Sequence, residues 1–364
     1  MTVAFLHGNG GTDRAGGILT VTVTEPDPAG VLVTVSKGDK SYSKMTDTDG
    51  VVVFKGLTTG KWTVTIADEG MLYHKYVDVV SDYSTTINSN VIPDFTYTGD
   101  YEIVNDNDEP ITVTQDNWKI RFLTSGTLTF SDLRSASDGI DVFMVGGGGA
   151  SGKLGSDQSG SFGGGGGGYT KTLTNIGVDI DLEYPIIIGA GGTSSNGGNT
   201  LAFSESVSGG DMSTIGCGAV GGSGGGDPGS YSTSFLKRSG PGGSDGSNGY
   251  AYNQWGELLT SETGIGQGYT TREFGEATGT LYAGGGGGGF CDSTSNSSKK
   301  KYAGAGGAGG GGAGGNNSVG ENGEPNTGGG GGGNGYDPIW TIRTQASGGS
   351  GIVIIRNTRG ITYG

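Results

Sequence analysis

A β-branched segment ending at Val145 runs into Gly147-x-x-x-x-Gly152-Lys153, most of a phosphate-cradling glycine loop. The next position, which should carry the Mg²⁺-binding hydroxyl, is Leu154. The residues after it, LGSDQSGSFGGGGGG, cannot start the helix whose N-terminus would hold phosphate. The two histidines, His7 and His74, have no serine, cysteine or metal-ligand partner at motif spacing, so neither a triad nor a zinc site is expected. The 36 acidic residues could supply a carboxylate pair, but nothing in their spacing selects one. Asp245-Gly246-Ser247-Asn248-Gly249 resembles half a calcium loop, yet it lacks the terminal glutamate and does not repeat; it reads as a surface turn. Cys217 and Cys291 either pair across neighbouring glycine segments or remain thiols, as suits cytoplasmic assembly. The sequence predicts no enzyme, no cofactor and no metal.

Binding chemistry is better represented. Residues 227–282 carry Tyr231, Phe235, Lys237, Arg238, Tyr250, Tyr252, Trp255, Tyr269, Phe274 and Tyr282 between glycines and serines. Rigid amphipathic rings on adaptable small-residue loops are the composition of a binding surface. Tyr231, Phe235, Lys237, Arg238, Tyr250, Tyr252, Trp255 and Tyr269 are therefore the receptor-binding candidates. Lys237 and Arg238 would suit an anionic cell-wall or capsule ligand. The same rings could instead cover a glycine core that has no other apolar material.

The net charge of −15 argues against phosphate backbones and anionic membrane surfaces, and Lys299, Lys300 and Lys301 read as a solvated loop. No apolar stretch approaches the length of a membrane span, and the first residues, MTVAFLHGNGG, do not read as a signal peptide. Neither nucleic-acid binding nor membrane insertion is expected.

The elements that must position the loops fall into four stretches. Residues 1–15 read as an arm, 16–90 as a β-sandwich, 91–117 as an acidic linker, and 118–364 as a glycine-rich domain. In the sandwich, short runs such as Leu19-Thr20-Val21-Thr22-Val23 and Trp62-Thr63-Val64-Thr65-Ile66 alternate with period two, giving roughly seven strands. Residues 118–145 read as strands, with Trp118, Ile120 and Phe122 returning through Ser125-Gly126 to Leu128 and Phe130 as a hairpin. A closing strand is expected over 352–356.

Most of the 83 glycines lie between, in 146–351. Pure runs are bounded by Gly163 and Gly168, Gly284 and Gly289, and Gly328 and Gly333. Glycine costs about 1 kcal/mol per residue in an α-helix, so no α-helix is expected. The runs are nearly pure and are followed by a strongly β-forming segment, which favours order over a flexible linker. The expected form is a bundle of left-handed polyglycine-II helices. Such a helix has three residues per turn and rises about 3.1 Å per residue. It makes no internal hydrogen bonds, so neighbouring runs must pair backbone with backbone.

Two resemblances follow. Asp49-Gly50, Phe54, Leu57, Gly60, Trp62 and Val64 resemble the signature of carboxypeptidase-regulatory or Cna-B-like domains, prealbumin-like sandwiches used as stalks. Some relatives carry a lysine–asparagine cross-link, but the first strand here has no lysine, so that bond is not expected. The succession FMVGGGG, GGGGGGYTKTL, YPIIIGAGG and SGGSGIVIIR resembles the glycine-rich domain of phage tail proteins, and its logic is similar to that of T-even-like tail-fibre adhesins. That resemblance implies a virion protein assembled in the host cytoplasm. Its N-terminal region would dock on other virion proteins, alone or as a homo-oligomer, and its loops would bind a host receptor, protein or glycan. The alternative is a structural virion component, such as a head-fibre, decoration or baseplate protein, without specific binding. A bacterial surface adhesin and an ice-binding protein fit less well.

Overall fold

The structure, a computed structural model, describes residues 2–4, 17–23, 29–58, 60–68, 71–79, 86–88, 92–111, 117–136, 139–152, 161–232, 235–253, 255–292, 302–335 and 344–358. At 2–4, 17–18, 60, 67–68, 71–79, 86–88, 134, 231–232, 235–236 and 292 it describes the backbone alone. The chain is all-β. Its described helical residues are two single 3₁₀ turns, Arg134–Ala136 and Glu273–Gly275.

In the N-terminal unit, strand β1 (Thr2–Ala4), placed by the sequence in an arm, pairs antiparallel with β8 (Thr86–Asn88). Between them lie β2 (Gly17–Thr22), β3 (Leu32–Lys37), β4 (Lys40–Met45), β5 (Val51–Leu57), β6 (Gly60–Asp68) and β7 (Met71–Val79). They form a β2-β5 sheet and a β4-β3-β6-β7 sheet. The period-two alternation explains the layers. Leu19, Val21, Val52 and Phe54 from one sheet share a core with Val33, Val35, Trp62, Val64 and Ile66 from the other. The buried Trp62 indole donates to the Thr58 carbonyl at 2.7 Å.

Two expectations for the following stretch are corrected. The acidic segment read as a linker contains β9 (Asp94–Tyr97) and β10 (Tyr101–Val104). Their partly apolar faces, including Phe95, Tyr97 and Ile103, pack on the second core. The predicted hairpin does not form either. Strand β11 (Lys119–Phe122) and β12 (Gly126–Asp132) enter different sheets. β12 lies between β9 and β15 (Glu183–Ile186). β11 joins a five-stranded antiparallel sheet of order β10-β11-β23-β13-β14, with β13 (Ile140–Val145), β14 (Thr170–Ile176) and β23 (Ile352–Asn357). Ile120 and Phe122 from one sheet and Leu128 and Phe130 from the other then share a core with Trp118, Ile140, Val142, Met144, Val353 and Ile355. Pairing side by side in a hairpin would not enclose those faces; passing from sheet to sheet does.

The glycine runs grow from this sheet. β13 continues into Gly146, residues 163–168 lead into β14, and 348–351 lead into β23. The Gly146 N–H donates to Tyr169 and the Gly149 N–H to Gly166, extending the β13–β14 pairing beyond the strands. The other donors turn to new neighbours. Gly147 and Ala150 donate to Gly198 and Ser195, and Gly148 and Ser151 to Gly349 and Ala346. The second run repeats the rule. Gly164 and Gly167 bond to Gly226 and Ser223, Gly165 and Gly168 to Gly331 and Gly328, and Gly166 and Tyr169 to Asp211 and Ser208. In the third, Gly284, Gly287 and Phe290 reach Gly309, Gly312 and Gly315 in parallel, while Gly285 and Gly288 reach Gly243 and Gly240 in the opposite sense. Residues three apart address the same neighbour, the period that a three-residue turn would give. No glycine of 163–168 or 284–289 takes a positive φ. The buried runs pair their backbone groups with neighbouring runs and with the backbone of segments beside them, such as Asp211 and Ser223.

Candidate functional site

Hydrogen-bond register gives the bundle two ends. Gly146, Tyr169, Gly189, Gly328 and Gly351 mark the end at the sheet. At the opposite end, Gly289 donates to the Phe162 carbonyl and Gly229 to that of Gly289. From this far end rise two hairpins. In one, β18 (Gly229–Ser232) pairs with β19 (Phe235–Lys237), and β18 also runs parallel to β22 (Phe290–Asp292). In the other, β20 (Tyr250–Tyr252) pairs with β21 (Leu258–Thr260). The remaining short hairpin, β16 (Thr200–Ala202) with β17 (Glu205–Val207), stays near the sheet, where the Thr200 hydroxyl donates to the Val145 carbonyl at 2.7 Å.

The two far hairpins share a junction. The Asp227 N–H donates to Tyr250, the Gly240 N–H to Asp227, and the Tyr250 N–H to Pro241, at 2.9, 2.9 and 3.0 Å. The Asp227 carboxylate pins the same place, accepting from Gly218 N–H and from the Ser261 and Thr263 hydroxyls. The β20–β21 hairpin turns because Asn253 Oδ1 accepts from the Trp255 and Glu257 amides. Trp255 stands in that turn 79 % exposed, with Leu258 and Leu259 exposed just beyond it.

The structure therefore gathers most of the sequence-predicted candidates at one end. Lys237, Arg238, Tyr250, Tyr252 and Trp255 all lie there, and so do the backbones of Tyr231 and Phe235, whose side chains fall outside the described residues. Tyr269 departs from the expectation. The chain has by then returned to the sheet end, where the exposed ring's hydroxyl lies 3.5 Å from the Thr170 carbonyl. Phe274 and Tyr282 are buried against Phe143, with ring centroids 5.9 and 5.4 Å away, in the core role that the sequence left open.

Arg238 is exposed, and its guanidinium lies 4.7 Å from the centroid of the Tyr302 ring. Tyr302 in turn meets the buried Phe290 edge-on at 5.5 Å. Sequence reasoning missed Tyr302 and the Leu258–Leu259 pair. Short β-forming triplets on either side of the Asn253 turn were the available signal for the latter.

An ion-pair network at the sheet end was also missed. Lys119, 6 % exposed, lies 2.5 Å from Asp108 and 2.9 Å from Glu273. Arg121 reaches Asp108 at 2.8 Å and Glu102 at 3.2 Å. Arg356 joins Asp141 and Glu276 while lying 3.9 Å over the Phe274 ring. Burial works against the Asp108 charge, but the Lys119 hydrogen bond and the Arg121 and Lys119 charges prevail and hold its carboxyl below the ordinary value. These contacts tie the 271–282 return segment to the sheet.

The groups of the remaining chemical motifs are bonded within the fold or lie outside the described residues. The Gly147–Gly152 amides serve neighbouring runs or the Ser213 hydroxyl, so none is left for a phosphate. Lys153 and His7 lie outside the described residues, as does the His74 side chain. The Asp245 carboxylate is taken by Thr270, Thr271 and Arg272. Burial opposes its charge, yet those donors hold its pKa below the ordinary range. No disulfide joins Cys217 to Cys291. Among the described residues no cluster of histidine, cysteine and acidic side chains could hold a metal, and no helix is long and apolar enough to cross a membrane.

No curated protein and no solved structure gives a significant match to the chain. One family does, described as a glycine-rich domain, over residues 123–358.

Proposed function

The chain belongs to the glycine-rich domain family, and from that premise we propose that it is a bacteriophage virion protein of the tail tip or tail fibre that attaches particles to a host surface receptor. The observation that carries the reading is the placement of Trp255. A large ring, 79 % exposed, stands on a hairpin at the end of a hydrogen-bonded bundle, with the exposed Leu258 and Leu259 following in the same hairpin. Apolar rings in water are disfavoured unless a partner covers them, and binding energy concentrates in a few such aromatic and arginine side chains. The exposed hairpin tip lies beyond the glycine backbone contacts, which suits a surface whose loops can change. The N-terminal sandwich, with its resemblance to Cna-B-like stalks, would connect the bundle to other virion proteins.

Particles carrying Trp255→Ala should assemble normally and adsorb to host cells more slowly. Normal adsorption by particles with Trp255, Tyr252 and Arg238 all replaced by Ala would leave the purely structural virion role in its place.

A further inference from the structure

Four arginines have described side chains, and one of them behaves differently from the rest. Arg121, Arg272 and Arg356 each engage carboxylates. Arg238 engages none among the described residues, although the chain carries 36 acidic against 21 basic residues. Its position is nonetheless defined. Tyr302 lies beneath the guanidinium, the buried Phe290 supports that ring, and the Tyr302 carbonyl accepts the Ser239 N–H at 2.9 Å. The guanidinium carbon sits over the ring, and no described side chain takes its N–H donors, through which arginine receives a carboxylate.

Arg238 lies on a segment next to the one that leads to the half-buried Tyr252 and the exposed Trp255. Gly240 and Tyr250 meet at the Asp227 junction, so Arg238 and Tyr252 each stand two residues above it on adjacent segments. Trp255 follows at the turn of the same hairpin. Its ring is largely open to solvent rather than enclosed by the described residues. An open ring of this kind suits a flat apolar face, such as the C–H face of a pyranose, and a repeating ligand adds such weak contacts together.

We propose that the far end of the bundle binds an acidic polysaccharide, with Arg238 taking a sugar carboxylate and Tyr252 and Trp255 stacking on sugar faces. The proposal rests on the attachment reading and names its ligand class.

The test uses the purified full chain and alginate as a polyuronate probe, with neutral dextran and polyphosphate as comparisons. Alginate should bind, more weakly as salt is raised, and Arg238→Ala and Trp255→Ala should each reduce its affinity tenfold or more with the thermal melt unchanged. The proposal is overturned if alginate binds no better than dextran, if polyphosphate displaces it preferentially, or if Arg238→Ala leaves alginate affinity unchanged. Adsorption that depends on Trp255 without alginate binding would overturn the saccharide and point to a protein receptor, leaving attachment intact. Alginate binding by the wild type that is lost in Trp255→Ala, with normal adsorption of Trp255→Ala particles, would uphold the saccharide site and overturn attachment.

Discussion

Gly164 abuts the Gly286 carbonyl across the bundle, and a methyl group on Gly164 would overlap it; one on Gly286 would overlap the Gly331 carbonyl. The Gly286 N–H is meanwhile fixed on the Gly165 carbonyl at 2.8 Å. The obstacle is backbone held by its own bonds, so no side chain can swing aside. Gly164→Ala or Gly286→Ala should cost about 3 kcal/mol or more, the upper end of overpacking. Gly177→Ala, where nothing lies within 4 Å of the added carbon, should change stability by less than about 0.5 kcal/mol. Thermal melts of the three variants make the comparison, and equal midpoints would count against close approach of the runs.

The three-residue period of the hydrogen bonds leads to an expectation for the backbone angles. Residues 284–289 should show φ near −75° and ψ near +145°, the left-handed extended helix. Angles of a β-strand there would mean that the neighbours are strands of a sheet, which pair in one plane rather than around an axis.

Lys119 is buried between Asp108 and Glu273, so Lys119→Met should leave two acids short of a partner and cost about 3 kcal/mol, as breaking a buried pair does. The Asp108 carboxyl is held below its ordinary value. Its contribution is therefore present above the unfolded pKa, about 4, and is lost as pH falls through the lower folded value. Melting midpoints between pH 5 and pH 2 should fall for the wild type and less steeply for Lys119→Met (chemical denaturation gives the same comparison).

At alkaline pH the sign reverses. Burial, with Asp100 adding to it, pushes Tyr97 up to about 12. Burial also raises Tyr282, with Glu273 and Asp108 adding to it and Arg121 opposing it. A phenol whose folded pKa is raised contributes stability that is complete below the unfolded pKa, about 10, and is lost as pH rises through the folded value. Stability should therefore hold to about pH 10 and fall above it. Tyr282→Phe should reduce that alkaline loss in melts between pH 8 and pH 12, and an unchanged slope would show that the phenol is not desolvated.

The N-terminal sandwich has its own core, so residues 16–90 should fold alone, marginally at that size. Dispersed amide resonances are the expected observation. Trp62→Ala should remove about 3–5 kcal/mol and unfold the fragment. A collapsed spectrum from the wild-type fragment would show that its core depends on the rest of the chain.

Local rules made much of this legible from sequence. Alternation marked Trp62, Val64 and Ile66 as one buried face, and the apolar runs at 140–145 and 352–357 are buried strands. Glycine content excluded α-helix, because that penalty is paid residue by residue. The bias of aromatic residues toward 227–282 located the loops that carry Trp255. Partnership was decided only by the tertiary structure. The segments that carry Ile120 and Leu128 were expected to pair as a hairpin and instead lie in two sheets, because both apolar faces fit one core. Tyr252 and Tyr269, alike in sequence context, lie toward opposite ends of the bundle, because the chain between them descends along the glycine runs. Lys119 is poised between Asp108 and Glu273, and Arg238 rests on Tyr302, through separations that no local spacing rule spans. A glycine run carries no side-chain pattern to record which neighbours it will meet. That information lies in the register of backbone bonds, which exists only once the runs are assembled.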